Sequence, residues 1–218
     1  MHAVRYGTII DRVVPHSESR ANAAVRNALL VLAGTIFVAL LAQISIPWYP
    51  VPFTGQTLAV LLVGGVLGAW RGAASLLLYA IIGALGAPIF TDQAGGWDII
   101  TGATGGYIIG FILAAAVVGW LAERGADRRV VPMILTLILG NVLIYAIGVP
   151  WLATWTPPGA AAQFGWDQAY LYGVDPFVFG DAIKLAFAAL LLPAGWALLQ
   201  RTGFGRKNAD DGPDAGML

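Results

Sequence analysis

Asp181 and Lys184 stand three residues apart in Phe179-Gly-Asp-Ala-Ile-Lys184, one turn inside an otherwise apolar run that continues to Leu199. On a helix that spacing puts both side chains on one face. Either charge alone in an apolar setting is strongly disfavoured or neutralised, whereas together they partly compensate one another. Two meanings are open. The pair is a structural ion pair with Asp181 at a helix N-terminus, or it is the polar end of a ligand site, the usual role of ionisable groups in such segments. Asn141, in Leu139-Gly-Asn-Val142, is a second polar intrusion. It could cross-link helices, worth about 1 kcal/mol, or contact a ligand. Gln56, in Val51-Pro-Phe-Thr-Gly-Gln-Thr57, and Gln43 complete the set.

These are groups for hydrogen bonding, not for bond making. A membrane hydrolase or transferase needs a nucleophile with its base, or a carboxylate cluster, and one Asp, one Lys and one Asn are too few. The two histidines, His2 and His16, lie near the N-terminus, and there is no cysteine, so neither a thiolate site nor a histidine metal site within the apolar segments is expected. A purely structural membrane protein would have little use for Asp181 and Lys184. No Gly-x-x-x-x-Gly-Lys-Ser/Thr pattern is present, so no nucleotide cradle is expected either.

The elements that position these groups are apolar helices. The 218 residues are 58% hydrophobic and 11% charged, against about 25% charged in a soluble domain, and mean hydropathy is +0.76. A spanning helix needs roughly 20 apolar residues. Four segments qualify directly: 28–46, 105–122, 132–152 and 180–199. The apolar stretch between the first two is split at Trp70-Arg71-Gly72 into spans 56–70 and 73–89, because a guanidinium is tolerated in a surface turn but not at mid-bilayer. The expected architecture is an all-α membrane protein with six transmembrane helices in one bundle. Residues 1–27 are read as a cytoplasmic tail, 28–200 as the substrate-binding domain, and 201–218 as a second tail without fixed structure.

Charge tests the span count. Of the 12 Lys and Arg residues, Arg5, Arg12, Arg20, Arg26, Arg71, Arg124, Arg128, Arg129, Arg201, Arg206 and Lys207 all fall on one side of a six-span chain. The opposite connections carry Asp92, Asp98, Asp167 and Asp175 instead. The positive-inside rule then puts both termini in the cytoplasm and the polar groups in the outer half of the bilayer. That arrangement fits an outward-facing pocket in a cell inner (plasma) membrane rather than a continuous pore. The proline-rich loop from Ile46 to Phe53 is a stiff, aromatic candidate lid. The zero net charge implies no polyanion, so no nucleic acid is expected.

Val51-Pro-Phe-Thr-Gly-Gln-Thr57, Gly86-Ala-Pro-Ile-Phe90, Thr104-Gly-Gly-Tyr-Ile-Ile-Gly-Phe111, Gly140-Asn141 and Gly180-Asp-Ala-Ile-Lys184 occur in this order. Over roughly residues 28–200 the chain resembles the BioY family, the biotin-binding S components of energy-coupling factor (ECF) transporters. The resemblance implies capture of biotin from outside and release inward, with an ECF transmembrane coupling subunit and two cytoplasmic ATPases, or alone, since some members occur without dedicated partners. It implies no cofactor and no catalysis. An S component for another vitamin, such as riboflavin or thiamine, is the alternative within the class.

Biotin suits the residues. Asp181 can accept from the ureido N–H groups, and Asn141 can donate to the ureido oxygen or accept from a nitrogen. Lys184 either donates to the ureido oxygen while holding Asp181, the favoured role, or meets the carboxylate. Gln56 joins this polar set, and Tyr107, Trp48, Phe53 and Phe90 are candidate apolar walls. Trp48 reads equally as an interfacial ring. No further basic residue is available for the tail carboxylate, which is left to backbone N–H groups and water. Small residues at Ala24 and Ala28, or at Ala39 and Ala42, are candidates for docking the coupling subunit.

Overall fold

The computed structural model describes residues 7–14 and 19–202. The predicted unstructured C-terminal tail therefore lies outside the described residues from position 203 onward. In chain order the elements are α1 (Ile9–Val13), α2 (Arg20–Ala42), β1 (Ser45–Ile46), β2 (Phe53–Thr54), α3 (Gln56–Leu67), α4 (Ala69–Ala84), α5 (Trp97–Thr101), α6 (Gly105–Ala122), α7 (Val130–Thr154), α8 (Trp166–Gly173) and α9 (Val178–Thr202). Segment 105–122 coincides with α6, while α7 and α9 extend past the predicted 132–152 and 180–199 at both ends. Helix α2 begins earlier than expected, at Arg20, and α1 falls inside the predicted N-terminal tail.

Helices α2, α6, α7 and the segment Trp166–Thr202 that ends in α9 are long and apolar enough to cross a membrane. Helices α3 and α4 are apolar but shorter, at 12 and 16 residues. The core is built around α6, which packs against α3, α4 and α7 through Tyr107, Ile108, Phe111, Ala114 and Val118. Helix α9 packs on both α3 and α7. Residues from three helices are thereby gathered at one end of the bundle. The proline-rich loop is closed by a two-residue antiparallel ladder, Ser45 opposite Thr54 and Ile46 opposite Phe53.

The break in the long apolar stretch falls at Gly68, not at Trp70-Arg71-Gly72. Gly68 has φ 87° and ψ 178°, a region that side-chain-bearing residues avoid. Its neighbour α6 also leaves no room, because a Cβ on Gly119 would run into the Gly68 and Ala69 backbone. Arg71 therefore lies in the first turn of α4 and is buried, at 8% exposure, rather than exposed in a surface turn. Burial is tolerated because Nη1 meets Asp11 Oδ1 at 2.9 Å and Nε donates to Asn27 Oδ1 at 3.1 Å. Asp11 also binds Arg26 at 2.7 Å. The short helix α1 thus carries the counter-charge for two arginines, which explains why it is folded against the bundle.

A second carboxylate, Asp127, is fully buried and joins the α6–α7 connection to α9. It accepts a hydrogen bond from Trp196 Nε1, and Arg128 lies over the same indole at 4.4 Å. Its Oδ1 is buried without a hydrogen-bond partner.

Two outcomes follow for purified protein in detergent. Burial pushes the Asp11 carboxyl up, but hydrogen bonds from Thr8 and the charge and hydrogen bond of Arg71 outweigh it and hold the group below its usual 3.8. Asp11 therefore stabilises the fold above that pH and loses the contribution on further acidification. Asp11→Ala should lower the melting temperature at neutral pH, by an amount equivalent to about 1.5–3 kcal/mol. Asp127 behaves oppositely. Burial pushes its carboxyl up to about 6, against the opposing hydrogen bond from Trp196 and the charge of Arg128. Its contribution is present below 3.8 and is lost as pH rises through about 6. Thermal scans from about pH 5 to about pH 8 should show a decline in the wild type that Asp127→Asn removes.

Candidate functional site

Where α3, α7 and α9 converge, four side chains donate to one carboxylate. Asp181, in the first turn of α9, is 3% exposed. Its Oδ1 accepts from Lys184 Nζ at 3.2 Å and from Thr57 Oγ1 at 3.3 Å. Its Oδ2 accepts from Tyr145 Oη at 2.6 Å and from Asn141 Nδ2 at 3.1 Å. Lys184 Nζ also donates to Thr57 Oγ1 at 2.9 Å. The local sequence explains the convergence. Asn141 and Tyr145 are one turn apart on α7, Asp181 and Lys184 one turn apart on α9, and Thr57 opens α3. A buried charge requires this kind of compensation, and an ionised carboxylate has about four lone-pair sites to fill.

Beside this cluster lies a cavity of about 460 Å³, within the size range of small-molecule sites. Its polar wall is formed by Lys184, Thr57, Tyr145 and Gln56. Its apolar wall includes Tyr107, Phe90, Phe111, Ile144, Trp155 and Phe177. Asp181 and Asn141 stand behind the first wall and do not line the cavity. Tyr49, Asp92, Asp98 and Pro158 are the exposed lining residues and form its rim.

Two of the rings rest on glycines. A Cβ on Gly83 would run into the Phe90 ring, and one on Gly148 would come within 2.5 Å of Tyr107 Cδ1. Tyr107 Oη donates to the Gly173 carbonyl at 3.0 Å, fixing the ring along the wall. The chain around Phe90 is stapled by Gln43, whose Nε2 donates to the Phe90 carbonyl at 3.0 Å and whose Oε1 accepts from Gln93 N at 3.0 Å.

The predicted site residues fall into three groups. Asp181, Lys184 and Asn141 are brought together in the polar cluster. Tyr107, Phe90 and Gln56 line the cavity. Gln56 is committed to structure there, because its Oε1 accepts from Thr54 and Thr91 and its Nε2 donates to Tyr79 Oη at 2.7 Å. Phe53 and Trp48 lie outside the lining. Phe53 stacks on Phe177 at 4.3 Å between centroids, and Trp48 meets Phe53 edge-on at 5.8 Å. Trp48 instead borders a separate shallow hollow with Tyr49, Phe164, Gln168 and Tyr172.

Thr57 and Tyr145 are cluster members that sequence reasoning missed. Tyr145 reads as one more aromatic in an apolar helix. The signal that could have found it is its place four residues after Asn141, on the same face. Thr57 follows Gln56 directly and was overshadowed by it. Among the described residues no group of three or more His, Cys, Asp or Glu could hold a metal ion.

Residues 16–201 match the BioY family. The probable biotin transporter BioY of Pyrococcus horikoshii is 42% identical over 159 residues, covering 72% of this chain and 89% of the relative. The biotin transporter BioY of Thermotoga maritima is 40% identical over 165 residues, covering 74% and 92%. The fold is that of a crystallised S component for biotin from an ECF-type ABC transporter, with a TM-score of 0.68 at 21% identity, covering 88% of this chain and 99% of that one. By the extent of the family match and by these identities, the chain belongs to the BioY family.

Proposed function

We propose that this protein is the biotin-capturing subunit of a vitamin uptake system in the cell's plasma membrane. It is a transporter component, not an enzyme. The observation that carries the reading is the match between the cavity and biotin: one hydrogen-bonding wall around Lys184, facing aromatic and aliphatic surface. Biotin has one compact polar head, the ureido group, on an otherwise apolar bicyclic ring and tail. In this reading the ureido oxygen accepts from Lys184, and Asp181 and Asn141 hold the wall that does so. Tyr107 and Phe90 pack against the ring and tail, and Phe53 and Trp48 support the wall through Phe177 and the loop above it.

We infer six spans, formed by α2, α3, α4, α6, α7 and α9, with both termini in the cytoplasm and the cavity open to the outside. The distribution of Lys and Arg supports this orientation. A coupling subunit and two ATPases would supply the energy, since no ATPase motif is present in the sequence. The side of α2 that carries exposed Ala24, Ala28, Leu29, Leu32 and Ile36 is the apolar surface available to such a subunit.

Calorimetric titration of the detergent-purified protein tests the reading. Biotin should bind tightly and displace or exclude riboflavin and thiamine. Lys184→Ala and Asp181→Ala should each weaken binding by about tenfold or more, the scale expected for hydrogen bonds involving charged groups. Biotin methyl ester should bind within about threefold of biotin, because the exposed rim carries Asp92 and Asp98 and surface-exposed charges contribute little. Absence of biotin binding, with binding of another vitamin, would replace the assignment.

A further inference from the structure

We propose that the connection between α6 and α7 is a binding site for an anionic phospholipid. The phosphate is met by the exposed guanidinium groups of Arg124 and Arg129, and the acyl chains lie along the apolar faces of the two helices. The proposal rests on α6 and α7 crossing the membrane and is independent of the biotin reading. It starts from a separation of charge that the sequence hides. The run Glu123-Arg-Gly-Ala-Asp-Arg-Arg129 holds two acids and three arginines and is nearly balanced. The fold commits both acids elsewhere. Glu123 Oε1 accepts from Ala69 N at 2.9 Å, at the start of α4. Asp127 is fully buried and accepts from Trp196 on α9.

What the connection shows to its surroundings is therefore positive. Arg124 and Arg129 are exposed, and among the described residues neither forms an ion pair with a carboxylate. Arg26 and Arg71, at the same end of the bundle, are by contrast paired with Asp11. Arg128 is half-buried over the Trp196 ring with Asp127 beside it, so its charge is partly offset. Arg124 is held in place: its guanidinium lies 3.5 Å over the Trp120 ring, and Nη1 donates to the Trp120 carbonyl at 3.1 Å. Stacking covers one face of the group and leaves most of its N–H donors open at the edge. That planar fork suits a phosphate. The apolar half of the partner follows from what adjoins these charges. Trp120 is itself exposed, and below Arg129 the exposed Val131, Leu135 and Ile138 recur at helical spacing along α7. Charge begins where the lipid-facing apolar surface ends, the level at which a bilayer carries its anionic headgroups. A free phosphate has no use for the apolar border, whereas a phospholipid matches both parts. The connection also grips α9 through Asp127 and Trp196, so a lipid bound here steadies the end of α9 remote from Asp181.

The test is native mass spectrometry of the full chain in detergent, with phosphatidylglycerol and phosphatidylcholine of matched acyl chains offered together. Wild type should retain phosphatidylglycerol with about tenfold preference, the scale set by a pair of arginines at an anionic surface. In Arg124→Gln/Arg129→Gln the preference should fall below about threefold. Arg20→Gln/Arg201→Gln removes the same charge from other exposed positions and should stay within about twofold of wild type. Thermal scans read the same contact. Phosphatidylglycerol should raise the melting temperature of wild type more than phosphatidylcholine does, and the difference should vanish in Arg124→Gln/Arg129→Gln. Glycerol phosphate, which carries the anion without chains, should not displace the lipid at equal concentration. No headgroup preference in wild type overturns the proposal, as does a preference that Arg124→Gln/Arg129→Gln leaves intact. An equal loss in both variants reduces the effect to net charge and overturns it too. Displacement by glycerol phosphate overturns the lipid assignment in favour of a free phosphate. Biotin titration of the same samples reads the transport function separately, and both variants should bind biotin as wild type does.

Discussion

The carboxylate of Asp181 is the constraint around which the cavity end of the bundle is organised. A buried negative charge is tolerated only where donors surround it, and here they come from α3, α7 and α9. The requirement acts in two directions. It ties three helices together at a point where apolar packing alone would leave their rotation loosely set. It also freezes the orientation of every polar side chain in contact with it, since each must turn a hydrogen toward the same acceptor. The chemistry exposed to the cavity is thus a by-product of satisfying one ion.

The opposite end of the bundle uses the same device with different geometry. Asp11 neutralises Arg26 and Arg71 at the foot of α2 and α4, and Asp127 receives the indole N–H of Trp196 on α9. Helix α9 is therefore held at both ends by buried carboxylates, one within its own first turn and one from the α6–α7 connection. Between these two polar layers the contacts are mostly apolar and rich in small residues, notably Ala114 and Ala115 on α6, with the Thr35 hydroxyl donating to the Ser75 carbonyl at 2.9 Å among them. Surfaces of that kind pack closely without strongly preferring one register over another. The polar layers supply the directional component.

Much of the fold was legible because hydropathy and charge act on whole segments. Segment 105–122 coincides with α6, and 132–152 and 180–199 fall inside α7 and α9. The conspicuous polar residues Asp181, Lys184 and Asn141 also meet as their types suggested. What escaped depends on single backbone or side-chain geometries. The break at Gly68 rather than near Arg71 turns on one positive φ. Arg71 reads as a marker of the surface because its partner, Asp11, lies far away in sequence and in a segment that itself reads as a tail. Tyr145 and Thr57 carry hydroxyls whose neighbours only the fold reveals. Trp48 and Phe53 read as candidate walls because they are aromatic and sit in a lid-like loop; the fold adds that Trp48 packs on Phe53 and Phe53 on Phe177.

Phe90 and Tyr107 lean on backbone rather than on side chains, with Gly83 beneath one and Gly148 beneath the other. The bore of the chamber is consequently gauged by two hydrogen atoms. A single methyl added under either ring leaves the aromatic residue itself unaltered but shifts it toward the cavity, narrowing the space by a fraction of a carbon's width. The width of the cavity is therefore open to change from behind the wall, with every residue that lines it kept the same.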